Sequence, residues 1–541
     1  MNEGREKARQ ELLKKLDSTK KDSERNRLGQ FATPFELASE IIHRAVTMLP
    51  SDTEIRFLEP GFGTGTFYSA LMNSPFVKRV QLAHGFEIDP SYGEAASWLW
   101  RGLGLRLTIA DFTKVAPPKA EDAKFNLVVC NPPYVRHHHL SQAQKKELQS
   151  KVAQYIGLKI NGLSGLYTYF LLLSKMWMSE DGVGAWLIPS EFMDVNYGQA
   201  VKQFLLEKVT LQEIHRFDPE EVQFDDALVS SAIVFFTNSP PSKGHKIRFS
   251  WGGSLLRPRL SESVDAEYLR HLPKWSALPK KSGEYPRPSH DKILADIFTI
   301  KRGVATGGNR FFIITPEQAS EYQIPPQFLI PILPSPRYLE TNEVTADNNG
   351  MPKIKKQLFL LSCNWPEEWI RLKYPSLWQY FKRGMDEAVH ERYLCQHRSP
   401  WYAQEVRPPA PLLCTYMGRK TKKDANPFRF ILNWSKATAP NVYLMLYPKQ
   451  PLSSLLSSKP GLLKRVWKAL SAISVEVFLG EGRVYGGGLY KMEPRELGNI
   501  PANTVLEVLS PEMDSMRVGQ LSLFGANPVI HDSFRVHPRN Y

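Results

Sequence analysis

Short apolar runs recur through the first half of the chain, and each is followed by a segment that suits a helix or a loop. The runs occupy residues 55–60, 82–88, 105–111, 125–131, 184–189 and 228–236. Strands that alternate with helical segments predict a mostly parallel α/β sheet, whose last run belongs to an edge pair. Ahead of the first strand, Thr33-Pro34 and apolar residues at helical spacing from Phe35 to Leu49 predict a helix.

Length and charge restrict the classes of protein to which the chain can belong. Its 541 residues suggest two or three domains, and 42% hydrophobic residues supply enough apolar material for real cores. The 69 Lys and Arg exceed the 55 Asp and Glu, which leaves a formal charge of +14. Because cationic side chains release counterions from phosphates, this surplus favours a polyanionic partner.

Cysteine usage and hydropathy indicate a reducing compartment. The 4 cysteines form no close pair, which argues against a disulfide framework and a structural zinc site. The first residues are charged throughout, unlike a secretory signal. The most hydrophobic stretch, residues 165–178, is too short and too polar to span a bilayer. We therefore expect a cytoplasmic protein without a membrane partner.

Changes in composition predict the domain boundaries. Residues 1–27 are expected to form a charged helix and residues 28–245 the α/β domain. Past residue 240 prolines and basic residues become dense, which predicts a linker into a second, α+β domain over residues 246–520. A helix is predicted there over residues 468–479, and residues 521–541 are expected to form a loose tail.

A glycine-rich turn joins the first strand to a helix-like segment. Gly61, Gly63 and Gly65 follow the spacing G-x-G-x-G, which differs from the G-x-G-x-x-G of dinucleotide binders. Glycines at such a turn let the backbone approach a ligand closely, and the helix that follows presents free N–H groups. Alone, the turn is weak evidence, because many such turns bind nothing.

Acidic residues at successive strand ends strengthen the prediction of a ligand site. Glu87 lies 22 residues beyond Gly65, since 87 minus 65 is 22, a spacing that suits hydrogen bonds to both ribose hydroxyls. Asp111 could then accept from an adenine amino group, and Glu59 could face a cationic group such as the amine of a methionine tail. No P-loop lysine follows the glycines, so the pattern favours a nucleoside cofactor without phosphates. Each acid alone could be a solvated carboxylate or a helix cap.

The segment Asn131-Pro132-Pro133-Tyr134 follows the fourth apolar run directly. Two prolines end the strand and hold the backbone extended, which leaves the Pro132 carbonyl beside the Asn131 amide oxygen. Two fixed acceptors suit a poorly nucleophilic planar amine, because hydrogen bonds from both of its N–H groups free the lone pair for methyl transfer. Tyr134 is expected to stack on a base that has been flipped out of the duplex.

These motifs, in this order, resemble the amino-methyltransferases of restriction–modification systems in their gamma arrangement, the TaqI-like enzymes. The resemblance is strong over residues 28–240 and includes residues 31–34, Phe-Ala-Thr-Pro. It implies a Rossmann-like class I methyltransferase domain and then a target recognition domain for double-stranded DNA. It implies S-adenosylmethionine as cofactor, N6 of adenine as acceptor, and a bacterial or archaeal enzyme that acts as a monomer. A cognate restriction endonuclease is a further implied partner; the short stretch ahead of the first cofactor segment predicts no fused nuclease.

The resemblance assigns roles to individual residues. The implied cofactor residues are Thr33, Glu59, Gly61, Gly63, Gly65, Glu87 and Asp111. The implied catalytic residues are Asn131, Pro132, Pro133 and Tyr134, and Phe224 would pack beside the flipped base. Phe62 departs from the family, which often has a small residue in the glycine loop. No metal is implied.

Two other functions are alternatives, one that uses the same motifs and one, a pure DNA binder, that needs neither of them. Asn-Pro-Pro-Tyr also serves enzymes that methylate RNA bases or a protein glutamine, and a specificity subunit would bind DNA without catalysis. The weaker signals stay open: His137-His138-His139 suits a phosphate-facing or loop-ordering role more than a metal site. The segment from Lys301 to Arg310 suits either a flexible loop against DNA or a surface hairpin. The basic run 419–423 suits either contact with DNA or a solvated loop.

Overall fold

The structure is a computed structural model that describes residues 3–20, 29, 32–218, 231–272, 274–279, 292–420, 426–485 and 488–511. The chain forms two compact units. The first comprises Met1–Arg287 and Arg483–Leu489, and the second comprises Pro288–Gly482 and Tyr490–Tyr541. None of the described helices is long and apolar enough to cross a membrane.

A nine-stranded sheet organises the first unit, in the order β3-β2-β1-β4-β5-β7-β6-β8-β9. Its strands are β1 (Ile55–Glu59), β2 (Val80–Glu87), β3 (Leu105–Ile109), β4 (Phe125–Cys130), β5 (Met178–Pro189), β6 (Thr210–Arg216), β7 (Ser231–Thr237), β8 (Lys246–Gly253) and β9 (Pro258–Asp265). Strands β1 to β5 pair in parallel, while β7 runs antiparallel to both β5 and β6. The predicted mixed, mostly parallel sheet is confirmed, but the expected edge position of β7 is wrong, because β6, β8 and β9 continue the sheet beyond it.

Helices cover both faces of this sheet. They are α1 (Glu3–Ser18), α2 (Phe35–Val46), α3 (Thr66–Met72), α4 (Pro90–Leu99), α5 (Gln142–Ile156), α6 (Leu166–Ser174), α7 (Gln199–Glu207) and α8 (Ala266–His271). Neighbouring residues of one strand enter different cores: Phe57 packs with α2 and α3, whereas Leu58 packs with α5, α6 and α7. Strands buried on both faces explain why the sequence shows continuous apolar runs rather than alternation.

The predicted boundary at residues 245 and 246 is wrong. Strand β8 pairs in parallel with β6, and β9 pairs antiparallel with β8, so both extend the first sheet. The prolines and basic residues that suggested a linker lie in the loops ahead of β8 and between β8 and β9, or outside the described residues. Composition therefore marked loops within the first unit, while the chain leaves that unit at Arg287.

The second unit is α+β, as predicted. A five-stranded sheet has the order β10-β18-β15-β17-β13, and a three-stranded sheet the order β11-β14-β12. The strands from β10 onward are Phe298–Arg302, Ile313–Ile314, Leu329–Pro331, Glu343–Val344, Phe359–Leu361, Leu412–Thr415, Met417–Arg419, Phe430–Asn433, Tyr443–Pro448, Arg483–Tyr485 and Leu489–Lys491.

Short helices connect these strands. They are α9 (Leu294–Ile297), α10 (Asn309–Phe312), α11 (Pro316–Glu321), α12 (Glu367–Lys373), α13 (Pro375–Asp386), α14 (Tyr393–Gln396), α15 (Leu452–Ser458), α16 (Pro460–Ser471), α17 (Val475–Glu481) and α18 (Pro494–Gly498). The helix predicted over residues 468–479 is two helices, because α16 ends at Ser471 and α17 begins at Val475.

Candidate functional site

A cavity of about 490 Å³ opens at the carboxyl ends of β1 to β4. Its lining includes Glu59 at the end of β1, Glu87 at the end of β2, Asp111 after β3 and Asn131 after β4. These strands are neighbours, and the sheet order reverses direction between β1 and β4, the place where open α/β sheets bind ligands. The structure thus brings together residues that lie as far as 72 positions apart in the chain, since 131 minus 59 is 72.

The glycine turn forms one wall of this cavity. Gly63 has φ +55° and Gly65 has φ +83°, a left-handed conformation that favours glycine. A Cβ at Gly63 would meet no atom within 4 Å, so this backbone faces open space. Gly61 also lines the cavity, and a Cβ there would lie 3.5 Å from the Asn131 carbonyl oxygen.

Gly65 makes room for Phe62 instead of lining the cavity. A Cβ on Gly65 would lie 2.4 Å from the Phe62 ring, and one on Gly85 of β2 would meet the same ring at 2.4 Å. The ring is buried and stands 6.2 Å from the ring of Tyr68. Phe62, the departure from the family pattern, is therefore accommodated by two glycines that leave its space empty.

Glu87 holds the backbone of the turn. Its carboxylate accepts a hydrogen bond of 2.7 Å from the Gly63 N–H and one of 2.8 Å from the Asp89 N–H. Burial raises the pKa of Glu87 above its ordinary value, although both bonds oppose the rise. Since each carboxylate oxygen has a second lone pair, the side chain can still accept from a ligand.

Glu59 is a buried carboxyl group at the floor of the cavity. It accepts a 3.1 Å hydrogen bond from the Tyr68 N–H, in the first turn of α3. Burial raises the pKa of Glu59 well above its ordinary range, while the bonds from α3 and the charge of Arg9 act in the opposite direction. A carboxyl group buried at this depth favours a cationic ligand group, because the cation would stabilise its ionised form.

Asp111 caps the 3₁₀ turn that follows β3. Its Oδ1 accepts from the Thr113 N–H at 3.0 Å and from the Thr113 hydroxyl at 2.7 Å. Both bonds go to Oδ1, so Oδ2 is the oxygen that a ligand amine would reach. The cap and the proposed ligand contact are compatible.

Asn131 is oriented by Thr33. The Asn131 Nδ2 group donates a 3.1 Å hydrogen bond to the Thr33 hydroxyl across 98 residues of chain. Because one side of the amide faces Thr33, its oxygen lies on the other side. Thr33 lines the cavity too, so the segment ahead of α2 and the strand end of β4 meet there.

The two prolines and the tyrosine that follow occupy different positions. Pro133 lines the cavity, whereas Pro132 is buried. The Tyr134 ring is also buried, and its hydroxyl donates a 3.1 Å hydrogen bond to the Leu187 carbonyl of β5. Its backbone N–H donates to the Gly29 carbonyl. A base-stacking role for Tyr134 stays a prediction, and Phe224 lies outside the described residues.

The sequence analysis missed several lining residues. Leu13 and Asp17 of α1 and Gln144, Glu147 and Leu148 of α5 contribute to the cavity. So does Ile88, which is 63% exposed beside Glu87 and offers an apolar surface to a planar ligand. The sequence could have predicted the role of Ile88, because an apolar residue directly follows the acidic residue that ends β2.

The lining is strongly acidic. Among the described residues that form it, the carboxylic acids are Asp17, Glu59, Glu87, Asp89, Asp111 and Glu147, and the one Lys or Arg is Lys114. This contrasts with the formal charge of +14 for the whole chain. Such a cavity attracts cations and repels phosphates.

The histidine triplet lies in a short 3₁₀ turn next to the site. The rings of His138 and His139 are 4.2 Å apart. Burial is the first cause that lowers the pKa of His137 and His138, and the charge of Arg136 adds to it. The described residues contain no cluster of His, Cys, Asp and Glu suited to a metal ion.

Two protein families match the chain. Residues 101–223 match the family described as Eco57I restriction-modification methylase. Residues 287–522 match the family described as Type II methyltransferase M.Eco57I, C-terminal domain. The second match begins at the residue where the structure ends the first unit.

Individual relatives extend these matches along the chain. The type II methyltransferase M.AccI of Acinetobacter calcoaceticus is 27% identical over 496 residues, which cover 87% of this chain and 85% of the relative. M.XamI of Xanthomonas campestris pv. amaranthicola is 28% identical over 490 residues, with coverage of 88% and 85%. The fold is similar to that of the type IIL restriction-modification enzyme MmeI in complex with DNA, with a TM-score of 0.50, 12% identity, and coverage of 91% and 74%. Over most of its length the chain is therefore similar to type II methyltransferases of restriction–modification systems, and two of its regions match Eco57I-type family models.

Proposed function

We propose that the protein transfers a methyl group from S-adenosylmethionine to N6 of an adenine flipped out of double-stranded DNA. One observation carries the proposal: an acid-lined, phosphate-repelling cavity ends at the Asn131 amide. The acidic lining suits a cationic nucleoside cofactor. The Asn131 amide suits a planar amine whose N–H groups must be held by acceptors.

The described residues fit this cofactor. A volume of about 490 Å³ lies within the range typical of small-molecule sites. In the proposal Glu87 accepts from the ribose hydroxyls, Asp111 from the adenine amino group, and Glu59 faces the ammonium of the methionine part. Bound S-adenosylmethionine would supply a methyl group on a positively charged sulfur.

The residues after β4 would prepare the acceptor amine. The Asn131 amide oxygen and the Pro132 carbonyl accept its two N–H groups, which makes the nitrogen more tetrahedral and frees its lone pair. Thr33 supports this role, because its hydroxyl accepts from the Asn131 Nδ2 group and fixes the amide. Preorganised acceptors of this kind contribute positioning and electrostatic stabilisation, with no covalent intermediate on the protein.

The second unit supports DNA as the substrate. Its residues 288–482 and 490–541 contain 31 Lys and Arg against 22 Asp and Glu, a net charge of +9, whereas the first unit contains 38 against 33, a net charge of +5. The matched relatives are named type II methyltransferases, and MmeI was solved in complex with DNA. We propose that this unit recognises the target sequence. A monomer that modifies DNA in the cytoplasm of a bacterium or archaeon, beside a cognate endonuclease, completes the proposal.

The test measures transfer of labelled methyl groups from S-adenosylmethionine to unmethylated plasmid DNA, to RNA and to protein extract. Wild-type protein should label DNA as N6-methyladenine, and Asn131→Ala should reduce the rate by about 100-fold or more, the usual effect of removing a preorganised hydrogen bond. Asn161→Ala, a matched change in an exposed loop, should keep the wild-type rate.

Each other result identifies a different function. Label in RNA or protein alone would keep the catalytic unit and replace the substrate. Cofactor binding without label in any of the three would favour a DNA-binding specificity subunit. The presence of Asn131 and of the glycine turn in one cavity argues against that function, because a protein that only binds DNA needs neither.

A further inference from the structure

The N-terminal helix α1 packs against the glycine turn through a buried ion pair. Arg9 is 2% exposed, and its Nε and Nη2 atoms donate to the two carboxylate oxygens of Glu6 at 2.8 and 2.7 Å. Glu6 also accepts from the Ser69 hydroxyl of α3 at 2.6 Å. A charged pair buried at this depth requires several well-formed hydrogen bonds, and these supply them.

The remaining face of the Arg9 guanidinium reaches the glycine turn itself. Its Nη1 atom donates to the Thr64 hydroxyl at 3.1 Å and to the Thr66 hydroxyl at 2.9 Å. Thr64 lies between the two left-handed glycines, and Thr66 begins α3. On the other side, the Trp100 indole donates a 2.9 Å bond to the Thr64 carbonyl. The turn is therefore held from both sides, and Arg9 is the charged member of that support.

Further along the same helix, α1 becomes part of the cavity wall. Leu13 and Asp17 line the cavity and lie 4 and 8 residues after Arg9, one and two helical turns away. The Tyr92 hydroxyl of α4 donates to Asp17 at 2.5 Å, and Lys20 forms an ion pair with Asp89 just ahead of α4. Thus α1 is anchored at its beginning to the glycine turn and near its end to the loop after Glu87.

We infer that α1 is a structural component of the cofactor site and that Arg9 is a positioning residue that holds the glycine turn in its ligand-binding form. This inference rests on the proposed function for the identity of the ligand. Arg9 does not itself line the cavity; it acts through Thr64 and Thr66, which do. Burial and the charge of Glu87 raise the pKa of Glu59, and the charge of Arg9 opposes that rise.

The experiment separates positioning from folding by removing one or both members of the ion pair. Arg9→Met leaves Glu6 buried without its cation, so both stability and cofactor affinity should fall. The double variant Glu6→Leu/Arg9→Met replaces the pair by apolar side chains of similar size, a change that often restores stability. Lys7→Gln is the matched control, because it removes one positive charge from an exposed position of the same helix.

The readouts are the melting temperature, the Kd for S-adenosylmethionine by calorimetry, and kcat and KM for methyl transfer. In the double variant the melting temperature should return toward the wild-type value, while Kd and the cofactor KM stay raised by about tenfold or more through loss of charge-assisted bonds to the turn. The kcat should change little, and Arg9→Lys should recover part of the affinity because its ammonium can reach one threonine.

A double variant whose Kd lies within about twofold of the wild-type value would overturn the inference and leave α1 with a structural role alone. Wild-type protein that binds no S-adenosylmethionine would overturn the proposed function instead, before any variant is compared. The two failures are therefore distinguishable.

Discussion

Two glycine-rich turns, one in each unit, have similar sequences and different surroundings. In the first unit, residues 61–65 face a cavity, and a Cβ at Gly63 would meet no atom within 4 Å. In the second unit, residues 303–308 pack against their own unit: a Cβ at Gly303 would lie 2.1 Å from the Pro440 carbonyl oxygen, and one at Gly308 would lie 2.9 Å from Arg392. At the first turn glycine leaves open space beside the cavity, and at the second it makes room for the backbone ahead of β18 and for the Arg392 side chain.

The second turn, like the first, is held by protein groups, but its glycines face protein where Gly63 faces open space. The Arg398 guanidinium donates 2.7 Å bonds to the carbonyls of Ala305 and Thr306, and the Gly303 N–H donates to Tyr443. Val304 and Thr306 are buried. The alternative of a surface hairpin is wrong, because β10 pairs with β18 and most of the segment after it is buried. Contact with DNA stays a prediction, since Lys301, Arg302 and Arg310 are exposed. Open space at Gly63 is therefore the feature that makes the first turn, and not the second, a candidate binding motif.

The largest effect expected from this comparison is on the stability of the second unit. Gly303→Ala should destabilise the protein by about 3 kcal/mol or more, because a backbone carbonyl occupies the space of the new methyl group. Chemical denaturation measures the loss. Gly461→Ala is the control: no atom lies within 4 Å of its Cβ. Unchanged stability in Gly303→Ala would contradict the packing role, and cofactor affinity should persist under folding conditions.

The next effect concerns the cofactor, while the loss of stability from a valine at a positive φ is shared by a control. Gly63→Val should weaken S-adenosylmethionine binding by about 100-fold, because the side chain fills part of the cavity. Gly104→Val shares the positive φ and the open surroundings but lies away from the cavity lining. Backbone strain should therefore be similar in both variants, and calorimetry should find reduced affinity in the first alone. Equal affinities would mean that the turn faces no ligand.

A smaller effect should follow removal of the guanidinium that holds the second turn. Arg398→Met leaves the Ala305 and Thr306 carbonyls without their donor, which should cost about 2 kcal/mol. Urea unfolding measures the change, with Arg310→Met as the control at an exposed position in the same segment. If both variants unfold at the same urea concentration as wild type, the carbonyls have alternative partners and the two turns differ less than proposed.

The smallest effect is a dependence of cofactor binding on pH. Burial raises the pKa of Glu59 and of Glu87, so as pH falls through those values both groups become neutral and the cavity loses negative charge. Because their pKa values are raised in the folded state, their contribution to the stability of the ligand-free protein grows as pH falls and is lost as pH rises. The affinity for S-adenosylmethionine should therefore rise by up to about tenfold between about pH 5 and about pH 8. The increase in melting temperature that the cofactor causes should grow over the same range. A constant increase across this range would mean that neither carboxyl contacts the cationic ligand. Gly303→Ala should follow the wild-type profile.

Much of the fold follows from local sequence signals. The apolar runs at residues 55–60, 105–111 and 125–131 correspond to β1, β3 and β4 within two residues at each end. Because all of these strands run in parallel, the polar residues that follow them necessarily meet at one edge. That is why Glu59, Glu87, Asp111 and Asn131 line one cavity, as their positions predict.

Long-range packing was not predictable in the same way. The Glu6–Arg9 pair looks like surface charge in a charged segment, and its burial depends on Thr64, Thr66 and Ser69, which lie more than 50 positions away in the chain. The domain boundary failed for a related reason: composition marks loops, but strand pairing decides which unit β8 and β9 join. The orientation of the Tyr134 ring likewise depends on the backbone of β5.

The fit of Phe62 restricts the evolutionary paths open to this turn. A side chain at Gly65 or Gly85 collides with the ring, so neither glycine tolerates substitution while Phe62 is present. Replacing Phe62 first would leave a void in a buried cluster and destabilise the unit before any glycine could change. The three positions are therefore coupled by mutual dependence. A lineage that acquired Phe62 can return to a small residue only through a less stable intermediate.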